Sequence, residues 1–286
     1  MTVTVNIGHP YAMAKRMSAR GRRTTVNNET ELRKQGRAIE LFHLAYCQVA
    51  AVRLPLDEFA MKGGGNLRFF LRSPRRSAGL DLDYLGRKFG TFAERMDELL
   101  ASKQLSELLR LRDIELRFGG QRATDTETVK RWKFQLARPG METASSKIEF
   151  LNRGTTAAPA LEQMDPELAR RLGGVPARIK HYLPLDAIEQ KIRALADRRA
   201  TEPRDVFDLD HLFRQYPDAL AKSRSDPEKV IAAKERAIDI PYDDYERLVV
   251  EYLEETFVDL YGTEHAWTDM VLRVVERLEE KLRSGR

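Results

Sequence analysis

The chain is poorest in the features that most narrow a protein's setting. Cys47 is the single cysteine among 286 residues, so no internal disulfide can form; its place in the apolar stretch 41–52 reads as a buried structural thiol. There is no apolar run of the roughly 18 residues that a membrane span requires, and no charged-then-apolar leader. The expected setting is therefore the cytoplasm, without a membrane partner. Internal repeats and low-complexity tracts are missing, as are the Gly-Lys-Ser/Thr ending of a P-loop and the spaced glycines of a dinucleotide fingerprint. Acidic residues are absent ahead of Glu29, whereas Lys15, Arg16, Arg20, Arg22 and Arg23 fall there. Setting those five aside leaves 44 basic against 44 acidic residues, so the net charge of +5 belongs to an N-terminal arm. Such an arm suits a polyanion such as RNA, because neutralising phosphates releases counterions; it reads equally as a solvated tail.

What remains is ordinary globular composition, 42% hydrophobic and 33% charged. Residues 29–52 carry apolar side chains at helical spacing. A short strand at 59–61 runs into Gly63, Gly64 and Gly65, and residues 66–71 read as a helix. Leu80, Leu82 and Tyr84 alternate with Asp81 and Asp83, a strand with both aspartates on one face. Further strands are expected at 114–118, 129–136 and 147–151. Residues 154–176, rich in Ala, Pro and Gly, read as a boundary or long loop. From Leu185 onward the pattern is helical, with one apolar stripe from Tyr245 to Leu260 and another from Trp267 to Leu282. The fold class is α+β: a basic arm over 1–26, a mixed β-sheet domain over 27–183 and an α-helical C-terminal domain over 184–286.

The chemistry concentrates in two blocks. In "MKGGGNLRFFLRSPRRSAGLDLDYLG" a glycine turn precedes a helix, a backbone that can approach phosphate closely. Asp81 and Asp83 at i and i+2 repel each other unless a cation lies between them. Oxygen ligands without a Cys/His cluster favour Mg²⁺ or Mn²⁺ over zinc. Glu149 in "SSKIEFL" is the candidate third metal ligand and a candidate base, as two-ion nucleotidyl transfer requires. In the second block, Lys191 on a helix can neutralise a departing pyrophosphate. Asp205 can orient that lysine or the attacking hydroxyl. The blander reading makes Asp205 and Asp208 partners of Arg198, Arg199 and Arg204 on helix surfaces.

These residues resemble the AbiEii/MenT-like nucleotidyltransferase toxins of the polymerase-beta-type superfamily. The shared pattern is Lys62, Gly63, Gly64, Leu67, Arg68, Arg76, Ser77, Asp81 and Asp83, then Lys191, Arg198 or Arg199, Arg204, Asp205 and Asp208. Two departures stand out. Gly65 replaces the family's usual Ser or Thr, and Ser77 stands four residues before Asp81 rather than two. Either the loop is longer or the acidic pair is shifted towards Gly79; the intact "DLD" favours a longer loop. The resemblance implies a nucleotidyltransferase-like sheet domain, with Gly63, Gly64, Gly65, Arg76, Ser77 and Lys191 around the nucleotide. It also implies transfer of NMP from an NTP substrate to the 3′ end of tRNA, blocking translation, and a cognate antitoxin as partner. Arg72, Arg75, Arg76, Lys130, Arg131 and Lys133 are compatible with an RNA acceptor. The alternatives are transfer to a protein or small-molecule hydroxyl, and a non-enzymatic RNA-binding module.

Overall fold

The computed structural model describes residues 14–118, 122–155 and 157–284, with the side chains of 14–30 outside the description. Helix α1 (Ala14–Arg53) runs for 40 residues without a proline to break it. It begins well ahead of residue 29, so residues 14–26 of the expected arm have helical backbone, and 1–13 lie outside the described residues. The chain continues through β1 (Phe59–Lys62), α2 (Gly63–Phe69), β2 (Gly79–Tyr84), α3 (Phe89–Leu100), α4 (Lys103–Arg110), β3 (Glu115–Phe118) and β4 (Thr124–Asp125). A long hairpin, β5 (Val129–Arg138) and β6 (Met141–Leu151), leads to β7 (Ala160–Gln163), α5 (Pro166–Arg171) and β8 (Arg178–His181).

These strands form one eight-stranded mixed sheet ordered β3-β5-β6-β2-β1-β8-β7, with β4 paired to β5. The pairs β2·β6 and β1·β8 are parallel and the others antiparallel. The alternation read in β2 is real in space: Leu80, Leu82 and Tyr84 are buried while Asp81 and Asp83 are half-buried on the other face. Phe42, Tyr46, Phe59, Phe92, Trp132 and Phe150 pack in the core between this sheet and α1, α3 and α4.

The second half is α6 (Pro184–Asp197), α7 (Pro203–Gln215), α8 (Pro217–Lys222), α9 (Pro227–Ile238), α10 (Tyr242–Leu248), α11 (Val258–Tyr261) and α12 (Glu264–Ser284). Four of these open with proline, whose missing N–H costs nothing in a first turn. Their apolar stripes close a second core containing Leu195, Val206, Leu209, Tyr245, Trp267 and Met270. Short α2 joins the two cores, with Phe69 in the first and Leu67 in the second.

Two expectations are corrected. Residues 154–176 are not a plain loop: they contain β7 and α5. The signal was present in Asp165-Pro166, since Asp165 caps α5 by accepting from the Glu167 and Leu168 amides at 2.8 and 3.0 Å. The stripe at 245–260 is not one helix either, because two 3-10 turns interrupt it at Val250–Tyr252 and Glu255–Phe257. Between them the backbone pairs with the 74–76 loop, through Arg76 N to Tyr252 O at 2.8 Å and Glu254 N to Pro74 O at 3.1 Å. Those loop contacts outweigh the helical periodicity, and Leu260 at its end is 60% exposed.

Candidate active site

Strand register builds the site. Asp81 lies directly across from Lys62 of β1 on one side and from Glu149 of β6 on the other, with Asp83 two residues along the same face. This face opens into a cleft of about 1100 Å³ whose lining includes Gly63, Asp81, Asp83, Glu149 and, from α6, Lys191. Strand period thus gathers the carboxylates, and the fold of the second half brings the lysine to them.

Each carboxylate is met by basic or hydroxyl donors. Lys62 Nζ bonds Asp83 Oδ1, and the buried Tyr182 hydroxyl donates to Asp83 Oδ2 at 2.7 Å. Burial, reinforced by Asp83, pushes the Tyr182 phenol well above its usual range, so it stays a donor. Lys147 Nζ sits 3.2 Å from Asp81 Oδ1 and 3.8 Å from Glu149 Oε2, while Arg131 bonds Glu149. Positive charge therefore already gathers where these acids converge. An oxygen-only donor set is the kind that suits a hard divalent cation, and Asp81, Asp83 and Glu149 are the residues that could contribute to one. Among the described residues no three His, Cys, Asp or Glu side chains stand together in an arrangement that could hold a metal ion, so these three would have to draw closer to share one.

The glycines divide their tasks. Gly63 has a φ of +61°, and a methyl there would lie 3.2 Å from Asp81 Oδ2, so its backbone abuts the acidic face. Gly64 lies away from the lining and against Ser77, whose Oγ a methyl would approach to 2.7 Å. Gly65 is a packing glycine: a methyl would meet Leu80 Cδ2 at 2.7 Å and Met61 Sδ at 3.3 Å. That contact is the physical reason a larger residue is not accommodated freely at 65. The glycines are themselves the start of α2, which ends at Phe69 rather than Leu71.

Lys191 is 6% exposed and bonds Asp205 at 2.9 Å and Asp208 at 2.5 Å. Asp205 also faces Arg198 at 3.0 Å, and Arg75 grips Asp208 through Nη2 at 2.9 Å and Nε at 3.1 Å. Burial alone would raise the Asp208 carboxyl, but Arg75 and Lys191 hold it down at about 2. Asp205 and Asp208 are thus buried rather than on helix surfaces, and of the arginines in the blander reading Arg198 does pair with Asp205.

Other expected site residues lie elsewhere. Ser77 donates to the Gly79 carbonyl at 2.7 Å and does not line the cleft. Arg76 is turned to Glu40 at 3.4 Å and the Leu253 carbonyl at 3.0 Å, and lines a different hollow. Gly79 begins β2 against Lys147, while Asp81 and Asp83 both line the cleft. Of the basic residues offered to RNA, Arg75 and Arg131 hold internal carboxylates, Lys130 pairs with Asp125, and Arg72 reaches Asp165 at 2.8 Å.

Sequence reasoning passed over Lys147 and Tyr182, and it offered Arg75 to RNA rather than to Asp208. Lys147 shares strand parity with Glu149, so period two was enough to find it. Tyr182 follows a strand that the sequence did not reveal, and no local pattern marks it.

No curated protein sequence matches the chain. Among solved structures, JHP933 from Helicobacter pylori is 20% identical, with a TM-score of 0.53, 87% of this chain and 96% of that one covered. MenT4, a nucleotidyltransferase toxin from Mycobacterium tuberculosis, is 15% identical, with a TM-score of 0.50 and 87% of each chain covered. These likenesses establish a shared α+β fold. The family model for the nucleotidyl transferase AbiEii toxin of type IV toxin–antitoxin systems matches residues 50–280, and the chain belongs to that family as a nucleotidyltransferase toxin.

Proposed function

We propose that the chain transfers NMP from an NTP to a hydroxyl of an RNA acceptor, the 3′ end of tRNA, and thereby blocks translation. The observation that carries this reading is the meeting of three carboxylates on one sheet face, beside Gly63, with Lys191 on the opposite element of the same cleft. Asp81, Asp83 and Glu149 would hold Mg²⁺ or Mn²⁺, which when bound screens their repulsion and draws electron density from the reacting phosphate. Lys147, which bonds Asp81 and lies 3.8 Å from Glu149, would give up those contacts to a cation held there.

In the transfer, the acceptor hydroxyl gives up its proton as its oxygen bonds the α-phosphorus, and the bond from that phosphorus to the bridging oxygen breaks to release pyrophosphate. Glu149 is the candidate acceptor for the proton. Gly63 allows the backbone to approach the phosphates, and Lys191 meets the charge that builds on the leaving group. Asp205 and Asp208 hold Lys191 in place. Arg153, Arg193, Arg198 and Arg204 also line the cleft and add cationic character suited to a triphosphate and an RNA end. The reaction belongs in the cytoplasm, with the antitoxin opposing it.

Incubation of the purified chain with total RNA, Mg²⁺ and each α-labelled NTP in turn, resolved on a denaturing gel, tests this. Label is expected in RNA of tRNA size. Label on protein or small molecules with RNA unlabelled would sink the RNA reading. If no NTP releases pyrophosphate under any condition, the enzymatic reading itself fails.

A further inference from the structure

Arg76, singled out in the sequence for the nucleotide, lies instead in a second hollow of about 590 Å³ that shares no lining residue with the catalytic cleft. That volume is within the range of about 300–1,000 Å³ typical of ligand sites. Five cations line it: Arg33, Lys34 and Arg37 from α1, Arg76, and Arg138 at the end of β5. Two acids, Asp113 and Glu255, share the lining.

The acids near this hollow are oversubscribed. Glu40, 2% exposed, serves Arg37 at 3.8 Å and Arg76 at 3.4 Å while also bonding buried Arg68. Arg33 is 4.0 Å from Glu255, and Lys34 is 3.6 Å from Glu31. Arg138 has no acidic partner among the described residues. Burial lowers the Arg37 pKa; attraction to Glu40 and Glu254 raises it again, and repulsion from Arg76 and Arg68 works against that attraction. The hairpin turn is fixed to α1 by Lys34 Nζ donating to the Gly140 carbonyl at 3.3 Å, so the cations are presented on a tied frame.

We propose that this hollow docks the phosphodiester backbone of a polynucleotide, which on the reading above is the acceptor RNA held outside the reacting cleft. No aromatic side chain lines it, so it offers no surface on which a base would stack, and charge recognition of phosphate is what it supplies. The same helix carries Lys15, Arg16, Arg20, Arg22 and Arg23 upstream in sequence, more basic residues than a mononucleotide can use. Arg76 directly follows Arg75, which grips Asp208 beside Lys191, so the hollow adjoins the buried ion-pair network behind the cleft.

The test is fluorescence anisotropy of a labelled oligouridylate of about 12 nucleotides, without NTP, on the full chain and on a Lys34→Gln/Arg138→Gln variant. The variant is expected to bind at least about fivefold more weakly near 100 mM salt. Its log K against log salt should be shallower by about 1.4, two contacts at about 0.7 each on a single strand. Unchanged affinity and slope overturn the proposal. So does displacement of the oligonucleotide by inorganic phosphate or metal-free ATP at comparable micromolar concentration, which would make the hollow a small-phosphate site. Should the double variant fail to melt cooperatively, Lys34→Gln alone, at a solvent-facing position, is expected to show half the slope change, and no change again overturns it. Because no transfer is measured, an inactive chain still reads the hollow, and failure of the transfer assay is separable from failure here.

Discussion

Lys191→Met is the most informative single change, because the structure separates its cost in stability from its cost in turnover. Around Lys191, two buried carboxylates face three cations: Asp205 and Asp208 against Lys191, Arg198 and Arg75. Removing the lysine leaves each carboxylate with an arginine, so the pocket becomes neutral and no charge is stranded. Breaking a buried pair outright costs about 3–5 kcal/mol. With arginines still in place, about 1–3 kcal/mol is expected, close to the cost of leaving a buried polar group short of one partner. What disappears is the single surplus positive charge at the cleft wall, and loss of one such preorganised donor lowers turnover by about 10²–10³. The assay pairs thermal melting by circular dichroism with pyrophosphate release at saturating NTP. A variant that melts cooperatively and turns over within about threefold of the parent would refute the catalytic role and leave the network purely structural. A chain that does not fold would refute the charge count instead.

Asp81→Asn should reduce transfer by at least about 10²-fold at every Mg²⁺ concentration while shifting the melting temperature little, since Asp81 is only half-buried; transfer restored by excess Mg²⁺ would argue against it. Gly63→Ala should destabilise the chain by about 1–2 kcal/mol, because φ is +61° and the new methyl sits 3.2 Å from Asp81 Oδ2, and it should raise the KM for NTP; denaturant melts and steady-state kinetics check both. Burial drives the His43 pKa down to about 3, so this folded-state value lies below its ordinary 6.5. The neutral ring's contribution is complete above about pH 6.5 and is lost as pH falls towards 3, about 2 kcal/mol of it by pH 5. His181 and His211, both lowered first by burial, act in the same direction. His43→Gln should therefore flatten the fall in melting temperature between about pH 7.5 and pH 5; an identical pH profile would show that another group governs it.

Much of the candidate site was legible because its signals are local. The strand at Asp81 and Asp83 shows in a run of six residues whose alternate positions are apolar, and Glu149 shows in the same way on β6. Lys191 and Asp205 were marked by the resemblance of their block to the family's later motif, with the charge chemistry of a helix lysine in agreement. The parts that were missed depend on contacts distant in sequence. Tyr182 reaches Asp83 from 99 residues away, and Arg75 reaches Asp208 from 133. The glycine run stood out in the sequence, but three glycines in a row look alike until each meets its neighbour: Asp81 for Gly63, Ser77 for Gly64, Leu80 for Gly65.

By itself the amino-acid sequence determined which residues can share a face, because strand and helix periods are properties of the local backbone. It therefore determined the α+β class, the acidic strand face and the helical second half. Only the tertiary structure decided that Asp81 stands beside Glu149 and Lys62, that Lys191 turns from a helix surface into a cleft wall, and that Arg76 serves another hollow. Those outcomes follow from strand register and from which apolar faces close against each other, and such pairings between distant segments leave no trace in any one stretch of chain.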